Sequence, residues 1–346
     1  MKKIALNTLN KIELAEFFTN LNEKKFRADQ LFHSLHKHMV FDINDVKGFS
    51  NDLKEKISQH AYIKRIKLIT VLSSKIDKTK KFLFELEDGQ VIESVFMSYD
   101  GRNTICVSCQ VGCKMGCKFC ASTKAGFVRH LSVAEILSQL YMVERELDEK
   151  INNIVFMGIG EPLDNYDNIV KTIEILNHED GKNMSQRNMT LSTSGLVPKI
   201  YELADLKLAI NLAVSFHYPF NEERSSFMPV NQSYNIESLI EACDYYFEKT
   251  GRRVSYEYLL VQGLNDTQKH AEELIKLFAG KNIHINLIGL NEIDEFNYKS
   301  SNSENMIRFR DQLQKKGLNA TIRQSKGIDI DGACGQLRVN YIGEEP

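Results

Sequence analysis

The spacing of apolar residues changes character twice along this chain. Near the N-terminus they recur every three or four positions (Leu14, Phe17, Phe18 and Leu21, then Leu31 and Leu35), which predicts short helices over residues 11–21, 27–38 and 51–60. From residue 67 the period drops to two. Residues 67–73, 81–87 and 91–98 read as strands, the last two joined by a hairpin turn at Asp88-Gly89. A domain boundary is expected near residue 72, dividing a helical module (1–72) from the rest (73–346). Beyond residue 103, strand-like segments (104–108, 153–157, 189–192, 209–215, 254–260, 283–288 and 320–323) alternate with helix-like ones (132–147, 168–176, 197–204, 236–249, 268–278 and 303–315). Such alternation builds a parallel α/β sheet with right-handed crossovers, either open or curled into a barrel.

Composition narrows the class only slightly. Of 346 residues, 42% are hydrophobic and 26% charged, ordinary values for a globular chain. The most apolar stretch, residues 206–216, is interrupted by Lys207 and Asn211 and is too short to span a bilayer. Asn10, Lys11, Glu13 and Glu16 break up the N-terminal apolar residues, so no signal peptide is expected there. A cytoplasmic location follows, and there the seven cysteines suit metal ligation or redox chemistry better than a disulfide framework. Charge adds more. The net value is −2, yet residues 1–82 hold 17 Lys/Arg against 9 Asp/Glu, and the remainder is acidic. That asymmetry points to an N-terminal module meeting a polyanion through residues such as Lys24, Lys25, Arg27, Lys64, Arg65 and Lys67. A solvated lysine-rich face is the plainer alternative, and Lys114, Lys118, Lys124 and Arg129 offer a second basic set.

Five cysteines fall within fifteen residues: Cys106, Cys109, Cys113, Cys117 and Cys120. The last three form C-x3-C-x2-C in a loop between a predicted strand and a predicted helix. Thiolates are soft ligands that suit zinc or iron–sulfur clusters. Structural zinc usually takes four protein ligands from paired short spacings, but this triplet has no second half, and the next histidine, His130, lies ten residues past Cys120. Three thiolates on one loop can instead hold three corners of a cubane and leave the fourth iron open to a small molecule. An incomplete zinc knuckle and a chance cluster of buried cysteines are the alternatives.

The triplet, with Phe119 before its last cysteine, resembles the motif of the radical SAM enzymes. The surrounding sequence is narrower. Cys106-Val-Ser-Cys109-Gln-Val-Gly-Cys113, Gly126-Phe-Val-Arg-His-Leu-Ser132, Met157-Gly-Ile-Gly-Glu-Pro-Leu163, Leu191-Ser-Thr-Ser-Gly-Leu-Val-Pro198, Met228-Pro-Val-Asn231 and Asp329-Ile-Asp-Gly-Ala-Cys-Gly-Gln-Leu337 resemble, in order, the RlmN/Cfr group of RNA adenosine methyltransferases. The resemblance implies a radical SAM partial (β/α) barrel, with a small N-terminal helical RNA-binding domain, a β extension and a catalytic C-terminal loop. It implies one [4Fe–4S] cluster on Cys113, Cys117 and Cys120, and two S-adenosylmethionine molecules per turnover. One methylates Cys334. The second yields a deoxyadenosyl radical that takes hydrogen from the methylthio group, whose carbon then adds to adenine. Glu93 aligns with the proton acceptor and Cys106 with the thiol that resolves the covalent adduct, leaving a disulfide. Gly160, Glu161, Ser192, Ser215, Phe216, His217 and Asn291 match cofactor contacts, all at C-terminal ends of predicted strands, where β/α barrels collect their sites.

RlmN-type members methylate carbon 2 of an adenosine in 23S rRNA near the peptidyl transferase centre and, in dual-specificity forms, of the adenosine beside the anticodon in tRNA. Cfr-type members methylate carbon 8 and confer antibiotic resistance. Glu161-Pro162-Leu163 and Thr193-Ser194-Gly195-Leu196-Val197 look like RlmN, whereas Gly327-Ile328-Asp329-Ile330-Asp331 and Asn340-Tyr341 lean towards Cfr. The balance favours carbon 2, in a monomer reduced by a low-potential donor such as flavodoxin and bound to no membrane. An inactive zinc- or RNA-binding protein is the non-enzymatic alternative, and it leaves Glu93, Cys106 and Cys334 unexplained. Cys109 stands where the group usually has Ser, giving an extra thiol near Cys106.

Overall fold

The computed structural model describes residues 3–99, 101–124, 126–291 and 297–337; Asn340 and Tyr341 lie outside them. The chain opens with β1 (Ile4–Ala5), α1 (Lys11–Asn20), α2 (Phe26–His36), α3 (Asn51–His60) and β2 (Ala61–Tyr62). Local chemistry starts α1: the Asn10 side chain accepts from the Glu13 amide, and Glu13 reaches back to the Asn10 amide. Next come β3 (Lys67–Ser73), β4 (Lys80–Glu85), β5 (Val91–Tyr99) and β6 (Arg102–Cys106), an antiparallel meander. Residue 72 falls inside β3, one of the strands of the large sheet.

After a short hairpin of β7 (Gln110–Gly112) and β8 (Phe127–His130), helices and strands alternate. They are α4 (Val133–Leu147), β9 (Asn153–Phe156), α5 (Tyr166–Asn177), β10 (Met189–Thr193), α6 (Val197–Asp205), β11 (Asn211–Ser215), α7 (Asn221–Phe227), α8 (Ile236–Thr250), β12 (Ser255–Leu260), α9 (Gln268–Phe278), β13 (His284–Gly289), α10 (Ser303–Lys315) and β14 (Ala320–Arg323). In the large sheet the order is β14-β13-β12-β11-β10-β9-β6-β5-β4-β3. From β6 to β14 the strands are parallel, each beside its predecessor in the winding. That is the winding of a β/α barrel, and because β6 and β14 are not hydrogen-bonded neighbours the barrel is partial. The short strands β1 and β2, the β7–β8 hairpin and α7 were not anticipated, and the hairpin and α7 hold the cysteine loop.

One apolar core runs from Leu6, Phe18 and Ile57 of the N-terminal layer into Phe82, Ile105, Leu140 and Ala320. The layer is also stitched to the barrel by polar contacts. His36 Nδ1 lies 3.0 Å from the Tyr141 hydroxyl in the interior, and Lys64 reaches Glu135 at 3.1 Å. Among the described residues no helix is long and apolar enough to cross a membrane.

Candidate active site

The cysteine loop is pinched at its base. Gly112, at φ +70°, sits so close to Gly126 that a Cβ would meet the Gly126 carbonyl oxygen at 1.7 Å, and the Cys113 amide donates to that same oxygen at 3.0 Å. The far side is tied down where the Lys118 amide donates to the Phe227 carbonyl of α7. Cys113, Cys117 and Cys120 thereby line one cleft at the C-terminal ends of the barrel strands. Burial pushes all three thiols up, Cys113 to about 12. Holding them as thiolates needs a compensating cation. Among the described residues no three Cys, His, Asp or Glu side chains converge on a single ion position. A cubane, whose irons take one thiolate each, has no such requirement, whereas tetrahedral zinc does.

Across the cleft lie the strand-end residues. Gly160, Glu161, Ser192, Ser215, His217 and Asn291 all line it. Glu161 is deeply buried, and both its oxygens are engaged: Oε1 accepts from the Leu163 amide at 3.0 Å and Oε2 from the Ser194 amide at 2.7 Å. Burial raises its carboxyl and these bonds oppose the rise, so it pins two loops together. Gly160, at φ +108°, packs on Gln110, where a Cβ would approach to 2.6 Å. His217 is neutral, its imidazolium form pushed down to about 3 by burial and by Arg224. Its Nδ1 accepts from the Leu259 amide at 3.1 Å, which leaves the proton on Nε2. Phe216, just past the end of β11, packs its ring on Tyr256 and Phe278 in the core, so any contact it makes in the cleft falls to its backbone.

Ser194 and Glu257 were not foreseen. Ser194 Oγ and Glu257 Oε2 are buried without a hydrogen-bond partner, and both residues line the cleft. A polar ligand would satisfy them. Arg224 was also missed. Fully buried, it donates to the carbonyls of Ser194 (2.8 Å), Ser215 (2.9 Å) and Phe216 (3.1 Å) and to Asn231 Oδ1 (2.8 Å), so one guanidinium fixes the ends of β10 and β11.

Cys106 and Cys334 line one cavity beside the cleft. Val95 pairs with Cys106 across β5 and β6, and Cys106 with Val155 across β6 and β9, which sets these side chains on one face. Their cavity is completed by Cys334, Met157, Tyr99 and Arg323. Cys334, exposed, lines both this cavity and the cleft of the cysteine triplet. Its loop is tethered by Asn291 Nδ2 donating to the Cys334 carbonyl (2.9 Å), the Ala121 amide to Gly335 (2.8 Å) and Ser122 Oγ to Leu337 (2.8 Å). Burial pushes Cys106 up to about 12; charge on Cys334 adds to this, and Arg323 opposes it.

Glu93 shares the Cys106 face of β5 but sits two residues before Val95, buried, 3.6 Å from Lys81 Nζ. Lys81 in turn donates to the Asp331 carbonyl of the tail at 3.4 Å. Cys109 faces elsewhere: its Sγ donates to the Ile159 carbonyl at 3.6 Å and packs in the main core. All seven cysteines are free thiols, so the disulfide that the resemblance implied is absent from this fold.

Residues 107–278 match the radical SAM superfamily, and residues 4–63 match the ribosomal RNA large subunit methyltransferase N-terminal domain. The chain is 50% identical over 340 residues to the probable dual-specificity RNA methyltransferase RlmN of Finegoldia magna, covering 98% of this chain and 97% of that one. It is likewise 50% identical to the RlmN relative of Clostridium novyi over 342 residues, 99% of each. A crystal structure of a radical SAM methyltransferase from Sphaerobacter thermophilus, 39% identical, superposes with a TM-score of 0.93 over 97% of this chain and 99% of that one. Matching across both the helical layer and the barrel, the chain belongs to the RlmN family of radical SAM methyltransferases.

Proposed function

We propose that this chain methylates carbon 2 of one adenosine in 23S rRNA and of the adenosine beside the anticodon in tRNA, through a methylated Cys334 and a covalent RNA adduct. Enzymes of this family use a [4Fe–4S] cluster and S-adenosylmethionine, and here Cys113, Cys117 and Cys120 are the cluster ligands. When bound, the pair would supply a methyl group for Cys334, the radical that takes hydrogen from it, and an acceptor for the one electron left over once the carbon has added to the ring. The observation that carries the reading is the position of Cys334 in the wall between two cavities, the triplet and strand-end residues on one side and Cys106 on the other.

The chain's own residues do the rest. Ser194 Oγ and Glu257 Oε2, the latter 3.8 Å from Arg323, lie at the cleft without a hydrogen-bond partner, and His217 Nε2 offers a donor. Once the Cys334 methylene carbon is joined to the adenine ring, Glu93 takes the proton from the alkylated carbon. The Cys106 thiolate then attacks Cys334 Sγ. The carbon–sulfur bond breaks, its electron pair returns to the base as a methyl group after protonation, and Cys106 and Cys334 are left as a disulfide for cellular thiols to reduce. The protein works as a cytoplasmic monomer with a flavodoxin-like donor.

Mass spectrometry of rRNA and tRNA nucleosides, from cells with and without this gene, tests the reading. The expected result is loss of 2-methyladenosine from both RNAs. Loss of 8-methyladenosine would assign the Cfr reaction instead, and a purified protein holding zinc without sulfide would exclude both.

A further inference from the structure

The end of the barrel opposite the cysteine loop is ringed by arginines. Arg102 begins β6, Arg187 precedes β10, and Arg252 and Arg253 precede β12. Two cavities open there, one walled by Arg102, Arg187 and Tyr99, the other by Arg252 and Arg253. They share Val155, Thr190, Asn211 and Arg323, so they are two lobes of one basin. Among the described residues only one carboxylate lines it, Glu257, 3.8 Å from Arg323.

The charge of this ring is unanswered. Arg102, Arg187, Arg252 and Arg253 make no ion pair with a described carboxylate, and Arg252 Nε is buried without a hydrogen-bond partner. Of the basic residues that the sequence put forward, Lys64, Arg65 and Lys67 pair with Glu135, Asp42 and Glu85, and Lys114 and Arg129 pair with Asp164 and Asp88, whereas Lys24, Lys25, Arg27 and Lys118 make no ion pair with a described carboxylate either. Nor is the basin a dead end. It shares Met97, Tyr99, Val155 and Arg323 with the cavity that holds Cys106 and Cys334.

We infer that this arginine-ringed basin holds the phosphates of the RNA substrate while its extruded adenosine passes Tyr99 to reach Cys334. The inference rests on the RNA-methyltransferase reading above. Guanidinium groups match phosphate oxygens in bidentate geometry. Tyr99, 38% exposed at the neck, offers a ring on which an unstacked base can lie. An acidic electron-donor protein is the rival occupant. RNA is favoured because the basin leads to the thiols that handle substrate carbon, whereas the triplet that takes up the electron lies at the other end.

The test uses full-length, cluster-loaded enzyme. Arg102→Glu, Arg187→Glu and Arg253→Glu are combined, with the three Arg→Lys changes as the conservative partner. Binding of a tRNA and of a 23S rRNA fragment is measured over a salt series. The triple reversal should weaken both at least about tenfold and flatten the slope of log affinity against log salt by roughly 2–3, about one per lost phosphate contact. The lysine set should keep the slope. Should the triple variant misfold by its thermal transition, Arg187→Glu alone gives the same test at about one unit of slope. Unchanged affinity and slope in a correctly folded variant, while wild type binds and methylates these RNAs, would overturn the inference. Unchanged RNA binding with slowed reduction by flavodoxin would overturn it in favour of the donor. If wild type neither binds nor methylates RNA, the functional reading fails as well.

Discussion

A thiol pushed up to about 12 is a weak nucleophile at neutral pH, because only the thiolate attacks. This gives the proposed step of Cys106 a signature. Release of methylated RNA from the adduct should quicken about tenfold per pH unit above neutrality, with no levelling near 9.0, the ordinary thiol value. Single-turnover quench experiments across alkaline pH would read it, and a plateau near 9 would mean that a less buried thiol attacks. Cys106→Ala should leave RNA attached, seen as a protein–oligonucleotide adduct by mass spectrometry. Cys109 does not substitute, because its sulfur faces the Ile159 carbonyl within the main core. Freely released methylated product from that variant would contradict this.

Among elements, the short ones near the cleft matter most. α7 contributes Arg224, whose four bonds hold the ends of β10 and β11. Arg224→Met removes those donors and leaves buried acceptors unmatched. The expected cost is about 4 kcal/mol, a fall in the melting temperature of about 5 °C, together with weakened S-adenosylmethionine binding by calorimetry. An unchanged melting curve would show that water or neighbouring amides take over. Long elements were legible in the sequence because their period repeats several times: the segments 67–73, 268–278 and 303–315 coincide with β3, α9 and α10. α7 has seven residues and β7 three, too few for a period to declare itself. The inward ring of Phe216 was not legible for another reason: Phe216 follows the end of β11 and precedes His217, whose positive φ takes the backbone out of strand geometry, so no alternation rule applies there. Arg224, Arg323 and the basin arginines were missed because an arginine reads as surface until the fold surrounds it. The motif residues of the cysteine loop and tail, by contrast, were found by resemblance and are brought together around Cys334.

At the scale of the whole molecule, the helical layer and the barrel share a single interior. Phe32 packs on His178 at 4.8 Å, and His36 meets Tyr141 in the core. The full chain should therefore unfold in one transition, and a chain lacking residues 1–66 should expose that interior and bind a hydrophobic dye. Two separated transitions in calorimetry would contradict this. A last consequence comes from the tethers of the tail. Ala121 and Ser122, which hold Gly335 and Leu337, follow directly after Cys120. On the proposed function, the loop that would carry carbon is thus hung from the loop that would hold the cluster, and slackening of the cysteine loop would cost the carrier thiol its aim at the same moment: a damaged copy would fall silent instead of marking the wrong base.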